Sequence, residues 1–140
     1  MNQFLQKNWK WKNCQKRQRK MKSKELSYIT PNFGKIGIKS CENFLITPDQ
    51  LEMSRRIIVR TFSKKIKFWI NIRCNTPLTK KPIGIRMGKG KGRLDKWVFP
   101  VKKGRIIFEF EDTNFDILKK CFNSISKRLP GKLKIVRKYN

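Results

Sequence analysis

The amino-acid sequence predicts one α+β domain, in which two helices pack on a mixed or antiparallel sheet, preceded by a basic N-terminal extension. Three observations predict this class: short segments in which apolar and polar residues alternate, two segments in which apolar residues recur at helical spacing, and an N-terminal block of cations without acids. The 140 residues suit one compact domain with a tail. We predict an arm over residues 1–30 and a single domain over residues 31–140.

The charge of the chain indicates the class of its partner. Lys and Arg number 36 against nine Asp and Glu, which gives a formal net charge of +27, and histidine is absent. A polyanion that cancels this repulsion is the expected partner, and nucleic acid is the obvious one. Binding to a membrane would require a long apolar span or a helix with a large apolar face, and we find neither in the sequence. A free nucleic-acid chaperone or DNA-compacting protein is the alternative function that this charge allows.

The N-terminal arm carries nine Lys or Arg and no acid between Met1 and Lys24. A block of like charges is usually disordered in isolation and often folds against nucleic acid. A transit peptide, which is also basic and poor in acids, is the alternative reading of this block. The arm cations that we expect to contact phosphates are Lys10, Lys12, Lys16, Arg17, Arg19 and Lys20.

A strand and a helix are predicted to open the domain. The stretch from Phe33 to Ser40 alternates apolar residues with glycine and lysine, as in a strand that needs close backbone approach. Thr47 is a candidate N-cap, Pro48 suits the first helical position, and Gln50 completes the spacing of a capping box. The helix then repeats apolar or small residues on one face at Leu51, Ser54, Ile58 and Phe62, with Arg55, Arg56 and Arg60 around the rest of its circumference.

Those helix arginines have two readings. A solvated basic face is the usual one, but few acids are available to pair with them, so we expect Arg55 and Arg56 to contact phosphates.

Two further strands and a second helix follow. Alternation predicts a strand from Ile66 to Cys74, in which Trp69 lies on the polar face and either stacks on a base or packs under a loop. The next strand is predicted to bury Ile106, Phe108 and Phe110 on one face. Its opposite face is predicted to carry Arg105, Ile107, Glu109 and Glu111. The second helix starts at Thr113 or Asn114, ends at Pro130 and Gly131, and presents an apolar stripe of Ile117, Leu118, Cys121, Phe122, Ile125 and Leu129. A short strand, KLKIV, closes the domain.

A long loop rich in Pro, Gly and Lys is predicted from residue 75 to residue 96. It contains Lys80 and Lys81, which we expect to contact RNA, and the glycine-lysine segment of Arg86, Met87, Gly88, Lys89, Gly90, Lys91 and Gly92. Glycine permits close backbone approach and positive φ, and lysine supplies cations, so phosphate is the natural ligand. The spacing fits neither a phosphate-binding P-loop nor a dinucleotide-binding fingerprint, which leaves a finger that reaches into RNA or a flexible basic loop.

Catalytic and metal chemistry have little support in the sequence. Cys14, Cys41, Cys74 and Cys121 lie far apart, so we read them as reduced thiols, at least two of them in the core, with no metal site. Glu109, Glu111 and Asp112 could hold a divalent ion, but pairing with the excess of cations is the simpler reading. We expect no enzyme activity and no cofactor.

The order of the segments FGKIGIKS, TPDQLEMSRRIIVR, KFWINI, PLTKKPIGIRMGKGKG, KKGRIIFEFE and RLPGKLKIV resembles bacterial-type large-subunit ribosomal protein sixteen. The resemblance spans roughly Phe33 to Val136 and is most specific from Pro77 to Gly92. It implies an α/β-hammerhead-like domain that binds large-subunit rRNA beside neighbouring ribosomal proteins, without homo-oligomers. It also implies that Arg86–Gly92 points toward the peptidyl transferase region and the aminoacyl-site tRNA, with Arg86 matching an arginine that some bacteria hydroxylate. The arm keeps the family's cations but lacks its His-Arg-Gly element.

Alanine is absent from the chain, while Lys, Ile, Asn and Phe are abundant. Alanine has GC-rich codons and these four residues have AT-rich codons, so the gene is expected to be very poor in GC. We therefore predict a mitochondrial ribosomal protein, with a plastid as the second choice.

Overall fold

The computed structural model describes Phe4 and residues 23–63, 65–88 and 90–138. The elements within these ranges are β1 (Ile36–Ser40), β2 (Phe44–Ile46), α1 (Pro48–Phe62), β3 (Phe68–Ile70), β4 (Thr76–Lys80), β5 (Arg93–Val101), β6 (Ile106–Phe110), α2 (Phe115–Ser126) and β7 (Leu133–Arg137). The strands form two antiparallel sheets, one of four strands in the order β3-β6-β1-β7 and one of three in the order β2-β5-β4. The predicted α+β class is confirmed, and the sheets are antiparallel.

Helix α1 forms as the sequence predicts. The Thr47 N–H donates to Gln50 Oε1 at 3.0 Å and the Gln50 N–H donates to Thr47 Oγ1 at 3.4 Å, which completes the capping box. The predicted stripe is buried, and the hydroxyl of Ser54 within it donates to the carbonyl of Gln50 at 2.8 Å. This hydrogen bond satisfies the one polar side chain on the buried stripe.

Strand β6 lies in the middle of the four-stranded sheet and is buried along its whole length. The prediction that Ile107 faces away from the core is wrong, because Ile107 is buried in the main apolar core. Glu109 lies on the opposite face from Phe108 and Phe110, as predicted, but it is buried there by the segment before β1. The register pairs Ile38 with Phe108 but Lys39 with Ile106, so β6 contributes one extra residue at this point, Ile107, which joins the main apolar core.

The second face of this sheet is covered by the irregular segment that precedes β1. Arg105 holds this segment: its Nη1 lies 3.3 Å from Glu25 Oε2, and its guanidinium lies 3.9 Å from the centroid of the Tyr28 ring. The Ile106 N–H donates to the carbonyl of Tyr28 at 3.1 Å. The residues that we assigned to the end of the arm and the start of the first strand thus pack as a layer of the domain.

Glu109 fixes the end of this covering segment. Its Oε2 accepts hydrogen bonds from the backbone N–H groups of Asn32, Phe33 and Gly34 at 3.0, 2.7 and 3.1 Å, and its Oε1 accepts one from the Asn71 side chain. Burial by itself raises the pKa of Glu109, but these hydrogen bonds outweigh it and hold the pKa below its usual value. The backbone that donates to Glu109 cannot also pair as a strand, so β1 begins at Ile36 and not at Phe33.

The third strand is shorter than predicted. The predicted strand from Ile66 to Cys74 pairs regularly only over Phe68–Ile70, although Ile72 and Cys74 are buried as the alternation predicts. Beyond Ile70 the chain leaves the four-stranded sheet, and the Cys74 thiol lies 3.4 Å from the carbonyl of Ile46 beside the other sheet.

The predicted loop over residues 75–96 is shorter than the sequence indicated. Strand β4 pairs with β5 from Thr76 opposite Val98 to Lys80 opposite Arg93, which leaves residues 81–92 as the connecting loop. Pro77 in β4 and the sparse alternation at the start of β5 hid this pairing, because a proline and isolated charges weaken a strand signal.

Helix α2 confirms one of the two predicted starts. Asn114 is the N-cap, since its Oδ1 accepts a hydrogen bond from the Asp116 N–H at 3.0 Å. The helix ends at Ser126, four positions before the predicted stop at Pro130. Leu118, Cys121 and Ile125 are buried, whereas Ile117 is exposed, so the buried stripe is narrower than predicted. Strand β7 forms over the predicted final segment.

Two of the four cysteines lie in the core as free thiols, as predicted. Burial raises the pKa of Cys74 to about 12 and that of Cys121 to about 11. Thiols with such values are poorly reactive near neutral pH. Cys41 is half-buried and also free, and Cys14 lies outside the described residues.

The Glu109 contacts generate a stability prediction. We expect Glu109→Gln to lower the free energy of unfolding of the purified chain at pH 7 by about 1–3 kcal/mol. A neutral amide oxygen accepts the three backbone hydrogen bonds more weakly than a carboxylate, and the amide nitrogen would face the Asn71 Nδ2 donor. Since the folded-state pKa of Glu109 is depressed, its stabilising effect is present above the unfolded pKa of about 4.3 and is lost as the pH falls through the folded value. The difference between wild type and variant should therefore shrink below about pH 4. Denaturant unfolding at several pH values measures it.

Glu111→Gln is the matched control, because it removes the same charge from an exposed side chain two positions along the chain. It should change the unfolding free energy by less than about 0.5 kcal/mol. Equal effects of the two substitutions would show that net charge, and not the hydrogen bonds of Glu109, determines the loss.

Candidate nucleic-acid interface

Several of the described acidic side chains form ion pairs or hydrogen bonds with other groups of the protein. Four of them form ion pairs, Glu25 with Arg105, Glu42 with Lys132, Glu52 with two arginines and Asp112 with Lys35. Glu109 accepts hydrogen bonds from backbone N–H groups. The predicted alternative of a metal site on Glu109, Glu111 and Asp112 fails on this geometry, because the Glu109 carboxylate is already enclosed and Asp112 is bound 2.9 Å from Lys35. No group of three metal-ligating side chains occurs in the described ranges.

The two helix arginines predicted to contact phosphates share an acid. Arg55 donates through Nε and Nη2 to the two oxygens of Glu52 at 2.9 and 2.8 Å, and Arg56 Nε donates to Oε1 at 3.1 Å. The hydrogen bond from Arg55 is the main cause that lowers the pKa of Glu52 to about 2. One of the few acids of the chain, Glu52, thus pairs with both arginines. The three side chains together carry one net positive charge.

The two lysines predicted to bind RNA near β4 lie at the base of the β4–β5 hairpin. Lys80 is the last residue of β4 and is exposed, and Lys81 begins the connecting loop. The Lys81 Nζ donates a hydrogen bond to the carbonyl of Gly88, across the loop. This contact joins the first cation of the loop to the glycine-lysine segment.

The glycine-lysine segment lies at the exposed end of this hairpin. Arg86, Met87, Gly88, Gly90 and Lys91 are exposed, Gly92 is half-buried, and Lys89 lies outside the described residues. Gly88 and Gly90 have φ values of 98° and 83°, which side chains with a Cβ rarely adopt. The predicted need for positive φ is thus met at these two glycines.

Gly92 lies at the point where the hairpin closes. A Cβ on Gly92 would lie 2.5 Å from the backbone carbonyl oxygen of Lys80. Glycine is therefore needed at this position for the close approach of the two strands of the hairpin.

The connecting loop also exposes apolar side chains that the sequence reading did not include among the site residues. Ile83 and Met87 are both 100% exposed, and Ile85 is 55% exposed. Only Met87 was among the predicted site residues. The signal was present in the sequence, since apolar residues inside a predicted basic loop have no core to enter.

The arm cations and Trp69 are the remaining residues predicted to contact nucleic acid. The arm cations Lys10, Lys12, Lys16, Arg17, Arg19 and Lys20 lie outside the described residues, but Phe4 is half-buried and packs against the core. Trp69 is half-buried and stacks on Phe33 with ring centroids 6.1 Å apart, which favours the reading that it packs under the covering segment. Phe33 itself is 69% exposed.

The helices of the described ranges are all too short or too polar to cross a membrane. The exposed end of the β4–β5 hairpin combines basic side chains with apolar side chains and glycines of positive φ.

Comparison with known proteins agrees with this arrangement. The family model described as ribosomal protein L16p/L10e matches residues 9–136. The chain is 40% identical over 110 residues to large ribosomal subunit protein uL16 of Hyphomonas neptunium, which covers 79% of this chain and 80% of the relative. It is 40% identical over 120 residues to the protein of the same name from Kosmotoga olearia, with 86% and 85% covered. The uL16 of Corynebacterium diphtheriae is 43% identical over 106 residues, with 76% and 77% covered.

The match extends over most of the predicted arm, both sheets, both helices and the connecting loop. The chain belongs to the L16p/L10e family of ribosomal proteins, which are structural and non-enzymatic components of the ribosome.

Proposed function

We propose that this chain is a structural constituent of the mitochondrial large ribosomal subunit, where it binds rRNA and helps to position tRNA at the aminoacyl site near the peptidyl transferase centre. The observation that carries the proposal is the exposed glycine-lysine segment at the end of the β4–β5 hairpin, in a chain about 40% identical to proteins named large ribosomal subunit protein uL16. RNA performs the chemistry in this proposal, and the protein supplies charge and shape.

The hairpin supports the tRNA part of the proposal through its geometry. Strand pairing up to Lys80 and Arg93, with the tight approach of Gly92 to Lys80, fixes the base of the connecting loop. Beyond that base the loop has exposed cations, fully exposed Ile83 and Met87, and glycines that allow a phosphate to come close to the backbone. Such a loop is able to reach a nucleic acid beyond the surface of the domain while its ends stay fixed.

The rRNA part of the proposal rests on the charge distribution. Several acidic side chains form ion pairs with lysine or arginine of the same chain. The net charge of +27 is therefore carried by a surface rich in lysine and arginine. Arm cations, Lys80 and Lys81 are the proposed phosphate contacts, and Arg55 and Arg56 contribute the single net charge that Glu52 leaves them. Neighbouring ribosomal proteins are further partners, and no homo-oligomer is proposed.

Mitochondrial placement is the finer part of the proposal. It rests on the absence of alanine and the abundance of residues with AT-rich codons. The relatives named above are bacterial, so a plastid or a bacterial ribosome is an equally compatible source.

Association with large subunits tests the ribosomal role. We expect the chain to sediment stoichiometrically with large subunits of its own lysate and to stay bound at high salt. If about ten phosphates are contacted, log affinity of the purified chain for large-subunit rRNA should fall with log salt at a slope of roughly −7 to −9. A distribution over many unrelated RNAs or DNA, or a slope near −2, would contradict the proposal and favour a chaperone.

A second prediction separates the loop from the rest of the interface. We expect Lys89→Ala with Lys91→Ala to leave subunit association within about twofold but to weaken aminoacyl-site tRNA binding about tenfold, which corresponds to about 1.4 kcal/mol. Filter binding of tRNA to reconstituted subunits measures the second quantity.

The matched control for the loop pair is Lys119→Ala with Lys120→Ala, which removes two exposed lysines from α2. This control should leave tRNA binding unchanged. Impaired peptide-bond formation with normal tRNA binding in the loop variant would overturn the assigned role of the loop.

A further inference from the structure

An open groove lies between the last turn of α1 and the end of α2, away from the β4–β5 hairpin. It has a volume of about 490 Å³. We call it the helix-end groove and define it by its lining residues, Ile57, Arg60, Thr61, Ser124, Lys127 and Arg128.

The lining has the composition of an anion site. Arg60, Lys127 and Arg128 are exposed cations, and the described residues that line the groove include no carboxylate. The two hydroxyls have their protons engaged, since Thr61 donates to the carbonyl of Ile57 at 2.9 Å and Ser124 to that of Lys120 at 3.2 Å. The cations are therefore the groups available to bind an anion, and arginine donates to phosphate in a bidentate manner.

Stabilisation of the helix ends explains only part of this charge. Helices α1 and α2 both end at the groove, and each C-terminus is equivalent to about −0.5 charge. Three cations against about −1 leave about +2, so these side chains exceed what the two helix ends require. In the described ranges none of the three cations forms an ion pair with an acid.

The contrast with the neighbouring arginines of α1 supports a binding role. Arg55 and Arg56 lie on the same helix but are held by Glu52. Arg60 lies one turn beyond Arg56 and faces Lys127 and Arg128 across the groove instead of an acid. The groove is also firmly supported, because Ile58 and Ile125, which adjoin its lining in sequence, are fully buried.

We propose that the helix-end groove binds backbone phosphates of large-subunit RNA through Arg60, Lys127 and Arg128, as a contact separate from the β4–β5 hairpin. This inference rests on the proposed function and names a second surface for the same RNA. The partner follows from charge complementarity, since a net positive groove with an open mouth suits a chain of phosphates.

The test is a triple variant, Arg60→Gln with Lys127→Gln and Arg128→Gln, in the full chain. Its binding to protein-free large-subunit rRNA is measured over a range of salt concentrations. We expect affinity near physiological salt to fall at least about tenfold, and the salt slope to lose about 2 to 3, from 0.7 to 0.9 per phosphate contact. Thermal unfolding of the variant checks that the fold is retained, and Arg60→Gln alone, which keeps a good helix former, provides a milder second variant.

The matched control is Arg73→Gln with Lys103→Gln and Lys134→Gln, three exposed cations that do not line the groove. It removes the same charge and should weaken binding less than about threefold. Equal weakening by the two triple variants would overturn the proposal, because it would show that total charge alone determines affinity.

Phosphate ethylation interference gives the local readout. We expect ethylation of a small set of adjacent phosphates to block binding of the wild type and of the control but not of the groove variants. An unchanged interference pattern in the groove variants would also overturn the proposal. Failure of the wild type to bind this RNA is a different result, because it would overturn the proposed function itself.

Discussion

Electrostatic repulsion within a chain of net charge +27 is the constraint that the rest of the structure must satisfy. With only nine acids available, the protein uses several of them as internal connections: Glu25 holds the covering segment through Arg105, Glu42 pairs with Lys132 before β7, and Glu52 restrains two arginines of α1. The remaining cations have to be neutralised by something outside the chain. A surface of this kind is suited to assembly with RNA, where phosphates are plentiful.

Glu109 shows how much of the fold depends on one of these acids. A buried carboxylate is costly unless it is hydrogen-bonded, and here three successive backbone N–H groups and an asparagine side chain meet that requirement. The carboxylate thereby holds the segment before β1 against the second face of the sheet. The close approach of Gly34 to Phe110 belongs to the same contact, since a Cβ there would lie 2.3 Å from the Phe110 carbonyl oxygen.

The structure separates two surfaces with different physical character. The β4–β5 hairpin has a fixed base and an exposed end, where Gly88 and Gly90 adopt positive φ and Ile83 and Met87 lie in the open. The helix-end groove, in contrast, lies between two helices whose inner faces are packed in the core. The first surface suits contact with a partner at a distance from the domain, and the second suits a stable contact at its surface.

The sequence by itself determined the features that depend on neighbouring residues. The capping box and stripe of α1, the Asn114 cap of α2 and the positive φ of Gly88 and Gly90 follow from local patterns and formed as predicted. Tertiary structure decided the rest because the partners lie far apart in sequence. Glu109 meets N–H groups 75 to 77 residues away, β4 finds its pair only across the connecting loop, and the ends of α1 and α2 meet only once both helices have packed on the sheet.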